Sequence, residues 1–161
     1  MNDSDMMDKR ELISALADGQ LRGDGLARGV DAAASDEGRG TWHAYCMIGE
    51  VLRSGRASAG VAPDAFLAKL RAHLQDEPAR APETVLAAKE IAATVNSAME
   101  ALPEELRQAV TLREIEGLSY EEIAEVMNCP IGTVRSRIFR AREAISAKVK
   151  PMLENQSGKR W

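Results

Sequence analysis

The chain has 161 residues, with 21 lysines and arginines against 25 aspartates and glutamates, for a formal net charge of −4. That balance argues against non-specific coating of nucleic acid, which needs a strongly basic surface. Hydrophobic residues at 45% can build a core, while 4% aromatics and 26 alanines favour helix over strand, so the composition points to an all-α chain of one medium or two small domains.

The first helix signal is Asp8-Lys9-Arg10-Glu11, in which Asp8 can cap and Glu11 sits at the capping-box spacing. Leu12, Ile13 and Leu16 make its apolar face, and Gly19 is a natural stop. A second, weaker helix runs through Leu26, Val30, Ala33 and Ala34. The polar stretch from Ser35 to Gly40 reads as a break, after which Thr41 can cap a third helix carrying Trp42, Tyr45, Ile48 and Leu52. The stretch from Ser54 to Gly60 reads as a flexible linker, and Pro63 opens a fourth helix with Phe66, Leu67, Leu70 and Leu74 in a stripe. Pro78 and Pro82 bracket the best domain boundary, which predicts domains over 1–78 and 83–161 joined by 79–82.

Beyond the boundary, one helix carries Val85, Leu86, Ile91, Val95 and Met99. Pro103 starts the next, with Leu106, Val110 and Ile115 inside. Gly117-Leu118 makes a turn, and Ser119-Tyr120-Glu121-Glu122 is a full capping box for a short helix with Ile123, Ala124 and Met127 inward. Asn128 stands where the chain must turn sharply, and asparagine tolerates the left-handed conformation. The last helix starts near Pro130–Ile131 and reaches about Val149, with Val134, Ile138, Ala141 and Ile145 on one face.

Two short helices joined by a tight turn, with the small Ala124 at their crossing, make a helix-turn-helix. Between Pro130 and Arg142 stand four arginines, Arg135, Arg137, Arg140 and Arg142, and no acid, a local +4 on a chain of −4. Arginine can bind guanine or phosphate bidentately, and Thr133 and Ser136 can bond phosphate or base edges. Phe139 falls on the arginine side, where an exposed ring could meet thymine methyls. A solvated arginine face is the ordinary alternative, but the capped helix, the turn and the missing acids favour DNA.

The segments Leu106–Glu114, Gly117–Ala124 and Asn128–Arg137 resemble region 4 of the extracytoplasmic-function sigma factors of the sigma-E group. The resemblance covers roughly Pro82 to the end. It implies that this half recognises the −35 promoter element and touches RNA polymerase. It places Arg135, Ser136, Phe139 and Arg140 on bases or adjacent backbone, with Arg137 in the same DNA-binding set. Thr133, Arg113 and Tyr120 become phosphate contacts. Region 2, which binds the −10 element, has no counterpart, so this chain is not expected to initiate transcription by itself.

The segments Leu12–Gly19 and Thr41–Ile48 resemble the N-terminal cytoplasmic domain of RseA/MucA-type anti-sigma factors. That resemblance implies a domain that binds its sigma factor and blocks it, from a parent tethered to the inner membrane. The expected fold is a small helical anti-sigma domain followed by a four-helix region 4. Two truncations meeting at a bare linker are what an engineered fusion would show. The expected interface residues are Leu12, Leu16, Trp42, Tyr45, Phe66, Leu67, Leu70 and Leu74, with apolar contact as the main affinity term. The first forty residues carry nine acids and five bases, so charge would steer the acidic half onto the basic helix. The short linker also admits swapping between two copies.

Other readings have less to hold. A free helix-turn-helix regulator with a dimerisation or sensory domain rests on the helix-turn-helix alone. The chain has no 18-residue apolar run and its acidic N-terminus is unlike a secretory signal, so a cytoplasmic setting is expected. Cys46 and Cys129 form no CxxC, and His43 with Cys46 falls short of the His-x3-Cys-x2-Cys pattern of zinc-binding anti-sigma domains, so no metal or cofactor is expected. His43 and Cys46 are expected to pack near Trp42 and Tyr45, and Cys129 to be a small buried hydrophobe. No glycine-rich phosphate loop, GxSxG or HExxH supports an enzyme.

Overall fold

The computed structural model describes residues 3–57 and 82–157, which form seven helices. In chain order these are α1 (Asp3–Ala17), α2 (Gly23–Ala34), α3 (Asp36–Ala57), α4 (Pro82–Glu100), α5 (Glu104–Glu114), α6 (Tyr120–Met127) and α7 (Ile131–Ser157). The all-α expectation is met. The expected helix over Phe66, Leu67, Leu70 and Leu74 lies outside the described residues.

Helix α1 starts five residues before Asp8, so Asp8 and Glu11 stand inside it and not at its N-cap position. It ends as expected: Gly19 takes φ +66, which lets the chain reverse after Asp18. In α2 the inward face is the small one. Gly29 and Ala32 are buried, whereas Leu26 and Val30 stand 44% and 50% exposed, against the expected apolar face.

The expected break over Ser35–Gly40 shrinks to one residue. Ser35 alone is extended, and its Oγ accepts from the Gly38 amide at 3.0 Å, capping α3 at Asp36. Thr41 is therefore not the cap. It is buried one turn inside α3, where its hydroxyl donates to the Glu37 carbonyl at 3.3 Å. Gly38 is glycine for contact rather than for looseness, since a Cβ there would lie 1.8 Å from the Ala32 carbonyl oxygen. Likewise Ser54–Ala57, expected as linker, continues α3.

The second half follows its sequence closely. Pro82 begins α4, and the chain turns at Leu102-Pro103 into α5. Ser119 and Glu122 form the full capping box of α6, and Asn128 adopts φ 48. Helix α7 runs past Val149 to Ser157 through Pro151.

The core does not respect the midpoint of the chain. Ile13, Tyr45, Ile48 and Leu52 from the first half pack in one cluster with Ile91, Val95, Val110, Ala141, Ile145 and Val149 from the second. A smaller cluster of Ala109, Tyr120, Ile123, Val134 and Ile138 holds the helix-turn-helix together. Truncating a residue that is 0% exposed in the shared cluster, as in Ile48→Ala, should cost about 2–5 kcal/mol. Ser119→Ala removes one cap and should cost about 1 kcal/mol. Denaturant titration checks both, and Ile48→Ala is expected to weaken a single transition rather than create a second one.

Candidate functional site

The first half meets the second mainly through α1 and α3, which lie against α7, with α3 also reaching α4 and α5. At the centre of this seam stands Arg142, which is 2% exposed. A buried guanidinium is costly unless its donors are matched by charge and acceptors. Here they are. Its Nη2 donates to Asp18 Oδ1 at 2.6 Å and to Glu114 Oε1 at 2.5 Å. Its Nη1 donates to Asp18 Oδ2 at 2.9 Å, to the Ser14 carbonyl at 3.1 Å and to Ser14 Oγ at 2.8 Å. Among the described residues, only its Nε finds no partner. The guanidinium also lies 5.8 Å from the centroid of the Tyr45 ring.

Asp18 gathers donors from three elements of the second half. Besides Arg142, it accepts from Arg113 Nε at 3.1 Å and from the Tyr120 hydroxyl at 2.5 Å, while Arg113 Nη2 donates to the Asp18 carbonyl at 3.0 Å. Burial alone would raise the Asp18 pKa. The Arg142 charge and the hydrogen bonds from Arg142 and Tyr120 outweigh it and hold this carboxyl below its ordinary value. For Arg142, burial opposes the charge, but Asp18 and Glu114 hold the guanidinium firmly protonated.

Two further patches flank this centre. The Tyr45 hydroxyl donates to Glu143 Oε1 at 2.6 Å, and Arg10 Nη1 donates to Glu143 Oε2 at 3.1 Å. Arg53 Nη1 donates to Glu114 Oε2 at 2.6 Å. Midway along α1, Glu11 Oε1 lies 3.4 Å from Arg135 Nε. A cleft of about 310 Å³ opens along the seam, with Trp42, Cys46, Arg53 and Arg113 among its walls.

The expected site residues divide on this surface. Arg140 is exposed, and Thr133, Ser136 and Arg137 are half-buried, with Arg137 Nη2 on Glu105 at 3.0 Å. Phe139, expected to be exposed, is 4% exposed. It falls on the α7 face shared by Arg135 and Arg142, one turn from each, and α1 meets that face at both arginines. Arg142, counted with the open arginines, is the most enclosed of those four. Tyr120 and Arg113 are turned toward Asp18, and Tyr120 is only 2% exposed. Of the expected interface residues, Tyr45 is buried, Leu12 and Leu16 are half-buried, and Trp42 is 37% exposed at the cleft rim. Cys46 and His43 are exposed rather than packed inward, and Cys129 is half-buried.

Sequence reasoning assigned no role to Asp18, Ser14, Glu114 or Glu143. It also expected charge only as a steering rim. The structure puts charge at the centre, beside a shared apolar core. The missing signal was pairing across about 100 residues, which no local pattern carries, although Asp18 just before Gly19 marks a carboxylate aimed out of a helix end.

Two family descriptions match the chain. The anti sigma-E protein RseA N-terminal domain matches residues 7–114, and sigma-70 region 4 matches residues 89–145. Among curated proteins, the ECF RNA polymerase sigma-E factor of Escherichia coli (strain K12) is 60% identical over 72 residues, covering 45% of this chain and 38% of that protein. The sigma-E factor of Salmonella typhi matches to the same extent. The RNA polymerase sigma-H factor of Pseudomonas aeruginosa is 62% identical over 72 residues, covering 45% of this chain and 37% of that protein. The chain thus spans less than two-fifths of the length of these relatives.

The chain has two tyrosines, Tyr45 and Tyr120. Both phenols are buried on carboxylates across the seam, and burial, then the acid, pushes both pKa values above the ordinary 10.0. A raised pKa means that the neutral phenol is favoured in the fold, so this stability is complete below pH 10 and is lost as pH rises beyond it. Ultraviolet titration should show no phenolate until the chain unfolds in alkali. Asp18 works in the other direction. Its lowered pKa contributes stability that is present above the ordinary 3.8 and lost as pH falls through the folded value. Thermal unfolding in acid should show that loss, and Asp18→Asn should flatten it.

Proposed function

The chain belongs to the family of anti-sigma-E RseA N-terminal domains and carries a sigma-70 region 4 behind that domain, and from this premise we propose that it regulates transcription initiation by masking. The anti-sigma half, residues 1–78, covers the DNA-reading face of region 4, residues 83–161. One observation carries this reading. Helix α1 pairs with α7 at Arg135 by an ion pair and at Arg142 and Glu143 by hydrogen bonds, and Asp18, just past its end, engages Arg113, Tyr120 and Arg142 as well. Three of the side chains expected on DNA, Arg113, Tyr120 and Arg135, therefore have acidic partners from the first half.

Region 4 in the released state would read a −35 promoter element and contact RNA polymerase. The masked face bears the base readers Arg135 and Phe139, whereas Arg140 stays open. The activity is one of binding and exclusion, and its setting is the cytoplasm. Among the described residues, no helix is long and apolar enough to cross a membrane.

The test uses the full chain. Glu11→Lys combined with Asp18→Ala removes two acids from the α1 face. This variant should bind a −35 duplex at least about tenfold more tightly than the unchanged chain, as expected when a competing charge pair is lost. Equal affinities would overturn masking. In the unmasked background, Arg135→Ala and Arg140→Ala should each weaken duplex binding by about 1–3 kcal/mol. A stable dimer that binds a palindrome tightly without these substitutions would favour a free regulator instead.

A further inference from the structure

An acidic surface facing an arginine-rich helix is a generic attraction. Any major-groove reader needs a basic recognition helix, so the contacts Glu11–Arg135 and Asp18–Arg142 would suit many such helices. Discrimination requires a feature that other basic helices lack, or one that repels them. Glu143 has that character. It is the sole acid between Ile131 and Lys150, and it directly follows the buried Arg142.

At Glu143 the polarity of the α7 contacts reverses. The anti-sigma half supplies the donors, the Tyr45 hydroxyl at 2.6 Å and Arg10 Nη1 at 3.1 Å. Both donors are held in place in the folded chain. Tyr45 is 2% exposed within the shared core, and Arg10 is held by Glu37 through its Nη2 at 2.9 Å. The Glu143 side chain is 29% exposed, so water reaches it only in part. Removing the acid would strand a buried phenol. Replacing it with a base would set that base against Arg10.

We propose that Tyr45 and Arg10 form a selectivity pocket by which the anti-sigma half accepts a region 4 carrying an acid after its buried arginine and rejects basic helices without one. The partner that fits is a recognition helix with the local order arginine then glutamate at this turn. The proposal rests on the masking reading for its biological meaning, but its energetics are read without DNA.

The experiment places Glu, Gln, Leu and Lys in turn at position 143 of the full chain, in two backgrounds, unchanged and Tyr45→Phe with Arg10→Ala. The readout is the folding equilibrium constant from denaturant titration. In the unchanged background the order should be Glu, Gln, Leu, Lys from most to least stable. The span should be about 30-fold or more, because an unpaired buried donor and a like-charge contact both count against the wrong residue. In the second background the span should fall below about threefold. Should that background fail to fold, Tyr45→Phe alone keeps the ring, and with it the span should shrink markedly. Equal spans in both backgrounds would overturn the proposal, because Glu143 would then act only within its own helix. Duplex binding by the same variants separates the two ideas. Coupling without any change in duplex affinity keeps the pocket and fails masking. Absent coupling, with duplex binding still released by Glu11→Lys and Asp18→Ala, fails the pocket alone.

Discussion

Arg142 is a cation held almost entirely out of water, and the seam is arranged around that fact. Burying such a group costs several kcal/mol, offset only when its charge and its donors are answered at short range. Two carboxylates, a carbonyl and a hydroxyl answer it here, drawn from α1, the turn that follows it and α5. Asp18 can do so because α1 ends there and Gly19 turns the chain away at positive φ. With Asp18 removed, Arg142 keeps Glu114 but loses its strongest cross-seam partner. Removing one side of such a pair costs about 3–5 kcal/mol, a large share of the stability of a domain this size.

Polar and apolar terms do different work across the same surface. The shared cluster of Tyr45, Ile48, Val95 and Ile145 supplies area removed from water, which is indifferent to small rotations of α1 over α7. The ion network fixes which rotation is used, because guanidinium forks meet carboxylates in few geometries. The tyrosines belong to both terms. Their rings sit in the cores, and their hydroxyls each reach an acid of the opposite half. This is why a protein with so few aromatics places both of its phenols at one seam.

The sequence made the second half legible because its signals are local. The capping box at Ser119, the left-handed Asn128 and the stripe Val134–Ile138–Ala141–Ile145 each depend on neighbours within two turns. The first half misled where local signals had tertiary causes. Gly38 and Gly40 look like a break, yet Gly38 is what lets α3 approach the end of α2. Leu26 and Val30 looked like a core face, yet Gly29 and Ala32 are buried in their place. Phe139 and Arg142 were assigned to solvent because the helix they share was read without its cover. The arginine patch was visible from composition, but its partition into covered and open members required the fold.

Glu114 gives the seam a further property. It lies on α5, so it stays beside Arg142 whichever way the first half moves, and it also takes Arg53 from α3. A departing Asp18 would therefore leave a cation already half-neutralised within its own half. Water need only complete the solvation of one fork. Separation of the halves then trades partners instead of abandoning a bare charge in an apolar interior. The same surface can close again without refolding, which makes the contact a reusable latch.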